Sequence, residues 1–257
     1  MKKHLIQVGR SLLACGMLCL FFAGLPLRVS PAHSFSIPER LRYDLTWTGI
    51  KTGEAVLEAR DHGQYVQFIS TAESAKWVSF LYPVEDAVTS TVRRGEDSGG
   101  GFIGVPYRYR ITLQEGKYRR DKEILFDYPA GKITHINHLK REVQAFPVKG
   151  MVFDPLSCFY YLRNLPLVVG KSVYIDLFDN KKTYALEVQV VRKETVRTPA
   201  GTFPAFVVKP LMKSEGIFHR KGDILIWLSD DERRVPVQVK TRVALGSVKA
   251  VLVGGTY

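Results

Sequence analysis

"LRYDLTWTG", residues 41–49, decides the fold. Leu41, Tyr43, Leu45 and Trp47 alternate with Arg42, Asp44, Thr46 and Thr48. Successive side chains of a strand point to opposite faces, so this period of two describes a half-buried β-strand, one face on a core and one in water. Working outward, "AVLEAR" (55–60) sits between the turn signals "IKTGE" (50–54) and "DHGQ" (61–64), and "YVQFISTA" (65–72) follows as another strand.

The same pattern runs on through "VEDAVTSTV" (84–92), "YRYRITLQ" (107–114), "RRDKEILFDY" (119–128), "KITHINH" (132–138) and "REVQAF" (141–146). It resumes after residue 170 with "SVYIDLFD", "TYALEVQVVRKETV", "FPAFVVKPLM", "DILIWLS", "VPVQVKTRVA" and "SVKAVLV". About a dozen closely spaced strands predict an antiparallel sheet. Two segments depart from it. "ESAKWVSFL" (73–81) reads as a short helix stopped at Tyr82-Pro83, and "DPLSCFYYLRNL" (154–165) as a helix with Asp154 at its N-cap and Pro155 in its first position. The expectation is an all-β protein with two short helices, its strongly curved antiparallel sheet forming a barrel or half-barrel.

The N-terminus reads as a leader. Lys2, Lys3 and Arg10 precede the uncharged run "SLLACGMLCLFFAGLPL" (11–27), and "SPAHS" (30–34) offers small residues before a cut. Residues 1–34 are therefore expected to be a secretory signal peptide and 35–257 a single β-rich domain in the periplasm. A retained anchor is disfavoured by the marginal length of the apolar run. Acylation at Cys15, within "LLAC", is disfavoured because Arg10 leaves little apolar core before it. Loss of the leader takes Cys15 and Cys19, leaving Cys158 alone and no intramolecular disulfide to form. It also takes four of the 37 basic residues and none of the 25 acidic ones, so the mature domain carries a net charge of +8. Behind a signal peptide nucleic acid is a poor partner, and anionic lipid headgroups or other envelope polyanions are better ones.

Little in the chain points to catalysis. Cys158 would need a base, and His135, His138 and His219 stand in no protease signature, so it reads as a core side chain. His135 and His138 fall on opposite faces of a strand and read as surface residues, so no metal or other cofactor is expected. Asp230 and Asp231 lie where a polar hairpin turn belongs. The candidate anion contacts are Arg108 and Arg110, on the strand face opposite Tyr107, Tyr109, Ile111 and Leu113, with Arg119 and Arg120 across the turn; alternation does not say which face is the inner one. Trp47, Trp77, Phe80, Tyr82, Phe159, Tyr160 and Trp227 are the candidate apolar lining of any cavity inside a curled sheet.

Three stretches carry a resemblance: "RLRYDLTWTGIKTGEAVLEA", "FDPLSCFYYLRNLPLVVGK", and "VRTPAGTFPAFVVKP" with "GDILIWLSDDERRVPVQVK". In them the chain resembles the bacterial exported family filed as domain of unknown function 3108. The resemblance implies an exported β-rich protein and no catalytic residues. "ILIWLSDDERRVPVQV", through Trp227, Asp231 and Pro236, is also loosely similar to hairpins of the half-barrel carriers that move lipoproteins across the periplasm. That likeness implies a concave face able to take an acyl chain. The leading expectation is a non-enzymatic carrier of a lipid or glycolipid. An envelope assembly factor acting through protein–protein contacts comes second and an enzyme last; nothing in the sequence sets the oligomeric state.

Overall fold

In a computed structural model, residues 35–95, 103–211, 224–242 and 246–257 are described. Residues 1–34, expected to be a signal peptide, with Cys15 among them, His219 and most of the "GEDSGGG" loop lie outside them. The described residues belong to one compact unit.

Strands β1 (Glu39–Trp47), β2 (Ile50–His62) and β3 (Tyr65–Ser74) are followed by helix α1 (Lys76–Ser79). Then come β4 (Val84–Arg93), β5 (Val105–Glu115), β6 (Tyr118–Asp127), β7 (Lys132–Asn137), β8 (Glu142–Pro147) and helix α2 (Pro155–Arg163). β9 (Ser172–Asp179), β10 (Lys182–Thr198), β11 (Gly201–Leu211), β12 (Ile224–Ser229), β13 (Pro236–Arg242) and β14 (Ser247–Thr256) complete the order. All fourteen strands form one antiparallel sheet running β8-β7-β6-β5-β4-β3-β2-β1-β14-β13-β12-β11-β10-β9. The connections therefore alternate between two ends. One end carries the turns after the odd-numbered strands; the other carries those after the even-numbered strands, with α2 and both described chain ends.

The sheet is curled and not closed, with β8 and β9 at its margins. The margins nevertheless approach each other. Phe146 of β8 meets Phe178 of β9 with ring centroids 5.6 Å apart. Phe153 fills the gap, its N–H donating to the Asp176 carbonyl and its carbonyl accepting from the Phe178 N–H, both at 2.8 Å. That pairing satisfies a strand edge that would otherwise be open to aggregation.

Alternation in "LRYDLTWTG" sets the faces as expected. Leu41 and Tyr43 are buried on the inner face, Leu45 is half-buried, and Arg42 points out. Tyr107 departs from its pattern. A bulge lets Thr91 pair with Arg108 and Val92 with Pro106, so Tyr107 is the extra residue and turns to solvent, while Tyr109 stays inside.

Helix α2 is set inside the curl. The Asp154 carboxylate accepts the Leu156 and Ser157 N–H groups, each at 2.9 Å, and the Ser157 hydroxyl closes the capping box. The Ser90 hydroxyl of β4 donates to the same carboxylate at 2.7 Å, tying the helix start to the sheet. At the other end Arg163 forms a fully buried bidentate pair with Glu39 of β1, both contacts at 2.7 Å. α1 is shorter than expected from residues 73–81, because β3 continues through Ser74.

Candidate functional site

The helix divides the interior. Tyr160 is fully buried and stacks on Phe68 at 3.9 Å, which fixes one side of α2 to the sheet. The other side leaves an apolar cleft of about 100 Å³. Pro155, Cys158, Phe159 and Leu162 form its helix wall; Leu177, Leu186, Val188, Pro210 and Ile226 form its sheet wall. Those sheet residues belong to the parts of β9–β12 nearest the odd-turn end. Toward that end the inner face is apolar and only half-buried at Leu45, Ala55, Val88, Ile111, Leu113 and Ala250.

Basic residues stand at the mouth. Arg120 pairs across the strands with Leu113, and Lys122 with Ile111, so both project inward. Burial, with Arg120, Lys181 and Lys140 nearby, pushes Lys122 below its ordinary value, outweighing the opposing pull of Asp179. The deeper His135 is pushed down to about 4 by burial and by the charges of Lys122 and Lys181. This corrects the expectation that His135 is a surface residue: it lies opposite Ile124 on the inner face and is buried. His138 is exposed and bonds Glu123.

Of the expected lining residues, the structure brings Phe159 to the cleft and seats Tyr160 behind it. Trp227 is elsewhere. It pairs with Val207 and Gln238, and its ring N–H donates to Glu194 at 2.5 Å, while its neighbour Ile226 faces in. Trp47, Trp77, Phe80 and Tyr82 are exposed around the odd-turn end and enclose nothing. Tyr82 lies on Gly116, whose positive φ of 56° and missing side chain make room for the ring; a Cβ there would fall 2.5 Å from it. Strand alternation could have found Ile226, Leu186 and Val188, but aromatic content drew attention to Trp227 instead.

The arginines do not form one strip. Arg108 and Arg110 lie on the outer face in a polar hollow of about 190 Å³ with Gln67, Thr89 and Thr91. Both bond Glu123, at 2.6 and 3.1 Å, and Arg110 also pairs with Asp121 at 2.6 Å. Burial opposes ionisation of Glu123, but His138 and the two arginines outweigh it and hold the carboxyl below its ordinary value. Arg119 is tied to the carbonyls of Gly116 and Tyr118, and Arg120 turns inward onto the Tyr118 hydroxyl at 2.9 Å. A further hollow of about 310 Å³, lined in part by Arg93, Tyr107 and Tyr128, opens at the even-turn end.

Asp231 performs turn chemistry. It accepts from the Ser229 hydroxyl at 2.6 Å and from the Arg233 and Arg234 N–H groups at 3.1 Å. Cys158 is buried, and burial together with Asp154 pushes its thiol up, away from the reactive thiolate. The thiol is expected to resist iodoacetamide in the native protein and to react only after unfolding in urea. Rapid alkylation of the folded protein, followed by mass spectrometry, would restore the nucleophile reading.

Solved structures similar to this chain over most of its length include the following three. A β-barrel-like protein of domain of unknown function DUF1849 from Brucella abortus is 15% identical, covers 87% of this chain and 99% of its own, and superposes with a TM-score of 0.51. An exported protein with a YmcC-like fold from Bacteroides fragilis is 11% identical, with 88% and 98% covered and a TM-score of 0.35. A lipoprotein from Parabacteroides distasonis is 9% identical, with 87% and 98% covered and a TM-score of 0.35. The Brucella likeness bears on the fold alone, as a barrel-like curl. No curated protein matches the sequence. The family model for "Protein of unknown function (DUF3108)" matches residues 42–253, and the chain belongs to that family.

Proposed function

We propose that this protein is a non-enzymatic periplasmic carrier that binds one acyl chain of an envelope lipid or glycolipid, with the polar head at the basic mouth. The observation that carries the reading is the cleft beside α2, whose walls are apolar and which leads onto the half-buried inner face. Its volume of about 100 Å³ is below the roughly 300–1,000 Å³ of sites that enclose a whole drug-sized ligand. That size suits a single alkyl segment entering end-on. Arg120, Lys122 and Lys181 stand where an anionic head would remain. The periplasmic location rests on the leader-like N-terminal sequence.

Native mass spectrometry with lipid extraction, on protein purified from its own envelope, tests the reading. A near-stoichiometric lipid is expected, and Val188→Phe, which fills the cleft, should lose it while remaining folded by circular dichroism. The overpacking itself costs about 1–3 kcal/mol. A clean apo mass from folded wild-type protein would overturn the reading. It would favour a second one, in which β8, a sheet margin exposed at five of its six residues, pairs with a strand of a partner protein.

A further inference from the structure

Most of the exposed large apolar residues stand at one end of the sheet, while Tyr107, Val168 and Val169 lie toward the other. Ile50 stands beside the β1–β2 turn, Trp77, Phe80, Leu81 and Tyr82 in the α1 connection, Tyr118 after the β5–β6 turn and Leu139 in the β7–β8 turn. All are connections that follow odd-numbered strands. Phe80 is 89% exposed and Leu81 78% exposed, so neither serves the core.

The turns of this end are basic. Among its described connecting residues Lys76, Lys117, Lys140, Arg141 and Lys181 are basic and none is acidic, the carboxylates Glu115, Glu142 and Asp179 standing at the ends of the flanking strands. None of the five is ion-paired to a described carboxylate. The even-turn end instead mixes Lys149, Lys171, Arg94, Arg233 and Arg234 with Asp154, Asp230, Asp231 and Glu232.

We propose that the odd-turn end docks on an anionic lipid bilayer, with the α1 connection inserted at the headgroup level and the lysines on lipid phosphates. Tryptophan, tyrosine and phenylalanine favour that depth, and basic residues beside them add attraction to anionic lipid. Apolar and cationic groups spread over four separate turns suit a broad anionic surface better than a single protein partner. The docking end is also the end toward which the cleft and the half-buried inner face lie, so a bound bilayer would stand at the mouth. The proposal does not depend on the carrier reading: docking without lipid uptake would end that reading and leave this one standing.

Vesicle sedimentation tests it, using the full chain as purified from its envelope. Binding is expected to phosphatidylglycerol–phosphatidylethanolamine vesicles, weakening with added salt, and not to phosphatidylcholine alone. Lys117→Glu with Lys140→Glu should weaken binding about tenfold or more. Lys149→Glu with Lys171→Glu, an equal charge change at the other end, should stay within about twofold. Phe80→Ser with Leu81→Ser should also weaken binding about tenfold, with an unchanged circular dichroism spectrum. Every variant keeps the same N-terminus, so any contribution from that segment cancels. Absence of binding, equal binding to both vesicle types, equal losses for the two lysine pairs, or no loss on removing Phe80 and Leu81 would each overturn the proposal.

Discussion

Arg163→Met is expected to lower the unfolding free energy by about 3–5 kcal/mol, the usual cost of leaving one partner of a buried ion pair alone. The side chains of Arg163 and Glu39 are both fully buried. Their two parallel bonds of 2.7 Å join α2 to β1, which are far apart in the chain. Arg163 also donates to the Arg233 and Arg234 carbonyls at 3.1 Å, and its guanidinium lies 4.4 Å from the centre of the Phe35 ring. Methionine would leave the Glu39 carboxylate without its counter-charge and two carbonyls without a donor. Glu39→Gln is expected to cost a similar amount, because the guanidinium then stays buried with no anion. The double variant should lose clearly less than the sum of the singles, since each removes the same interaction. Urea unfolding followed by circular dichroism gives the comparison. Single losses below about 1 kcal/mol, or losses that simply add, would mean the pair does not hold the helix in place.

How far this arrangement was legible beforehand depends on the range of the signal. Period-two alternation is local, so the strands, the antiparallel sheet and the inward face of β1 could be read from residues such as Leu41 and Tyr43. The cap on α2 was legible for the same reason: Asp154, Pro155 and Ser157 are neighbours in sequence. Arg163 shows where local pattern loses its force. Its helical spacing with Tyr160 and Phe159 was visible, but a charged residue on a short helix ordinarily lies in solvent. Only the curl brings Glu39 to it across 124 positions. His135 was misplaced by the same reasoning, since its polarity outweighed an inward register that Ile133 already announced. The candidate lining failed differently. Aromatic side chains suit a core, a lipid interface or a ligand equally well, and no local pattern says which. Phe159 and Trp227 went to different faces of the sheet, while Trp77 and Phe80 went to a tip, because turn position and register decide exposure. The cleft could not be anticipated because its walls come from one helix and four strands that meet only after folding.

Tyr160→Ala is expected to cost about 4 kcal/mol, whereas Tyr160→Phe should be neutral or stabilising by up to about 1 kcal/mol. The two substitutions separate what the ring does from what the hydroxyl does. The ring stacks on Phe68 at 3.9 Å, meets Phe35 at 5.1 Å, and lies 5.2 Å from the Arg163 guanidinium. Alanine would empty this space inside a fixed sheet that can relax only partly, so a cavity cost adds to the lost burial. The hydroxyl has no hydrogen-bond partner among the described residues. Burial, with Glu39 nearby, pushes it well above its ordinary range, so it stays protonated with its donor unused. Phenylalanine keeps every ring contact and removes that unpaired group. A loss above about 1.5 kcal/mol for Tyr160→Phe would show that the hydroxyl has a partner in solution. A small loss for Tyr160→Ala would show that α2 is held by its charged end alone. The contrast bears on the cleft as well. Tyr160 pins the back of the helix whose front presents Cys158 and Phe159 to the cavity. A phenylalanine variant that stays rigid should therefore retain lipid in native mass spectrometry. The alanine variant, freed to shift on the sheet, should lose lipid even at temperatures where it remains folded.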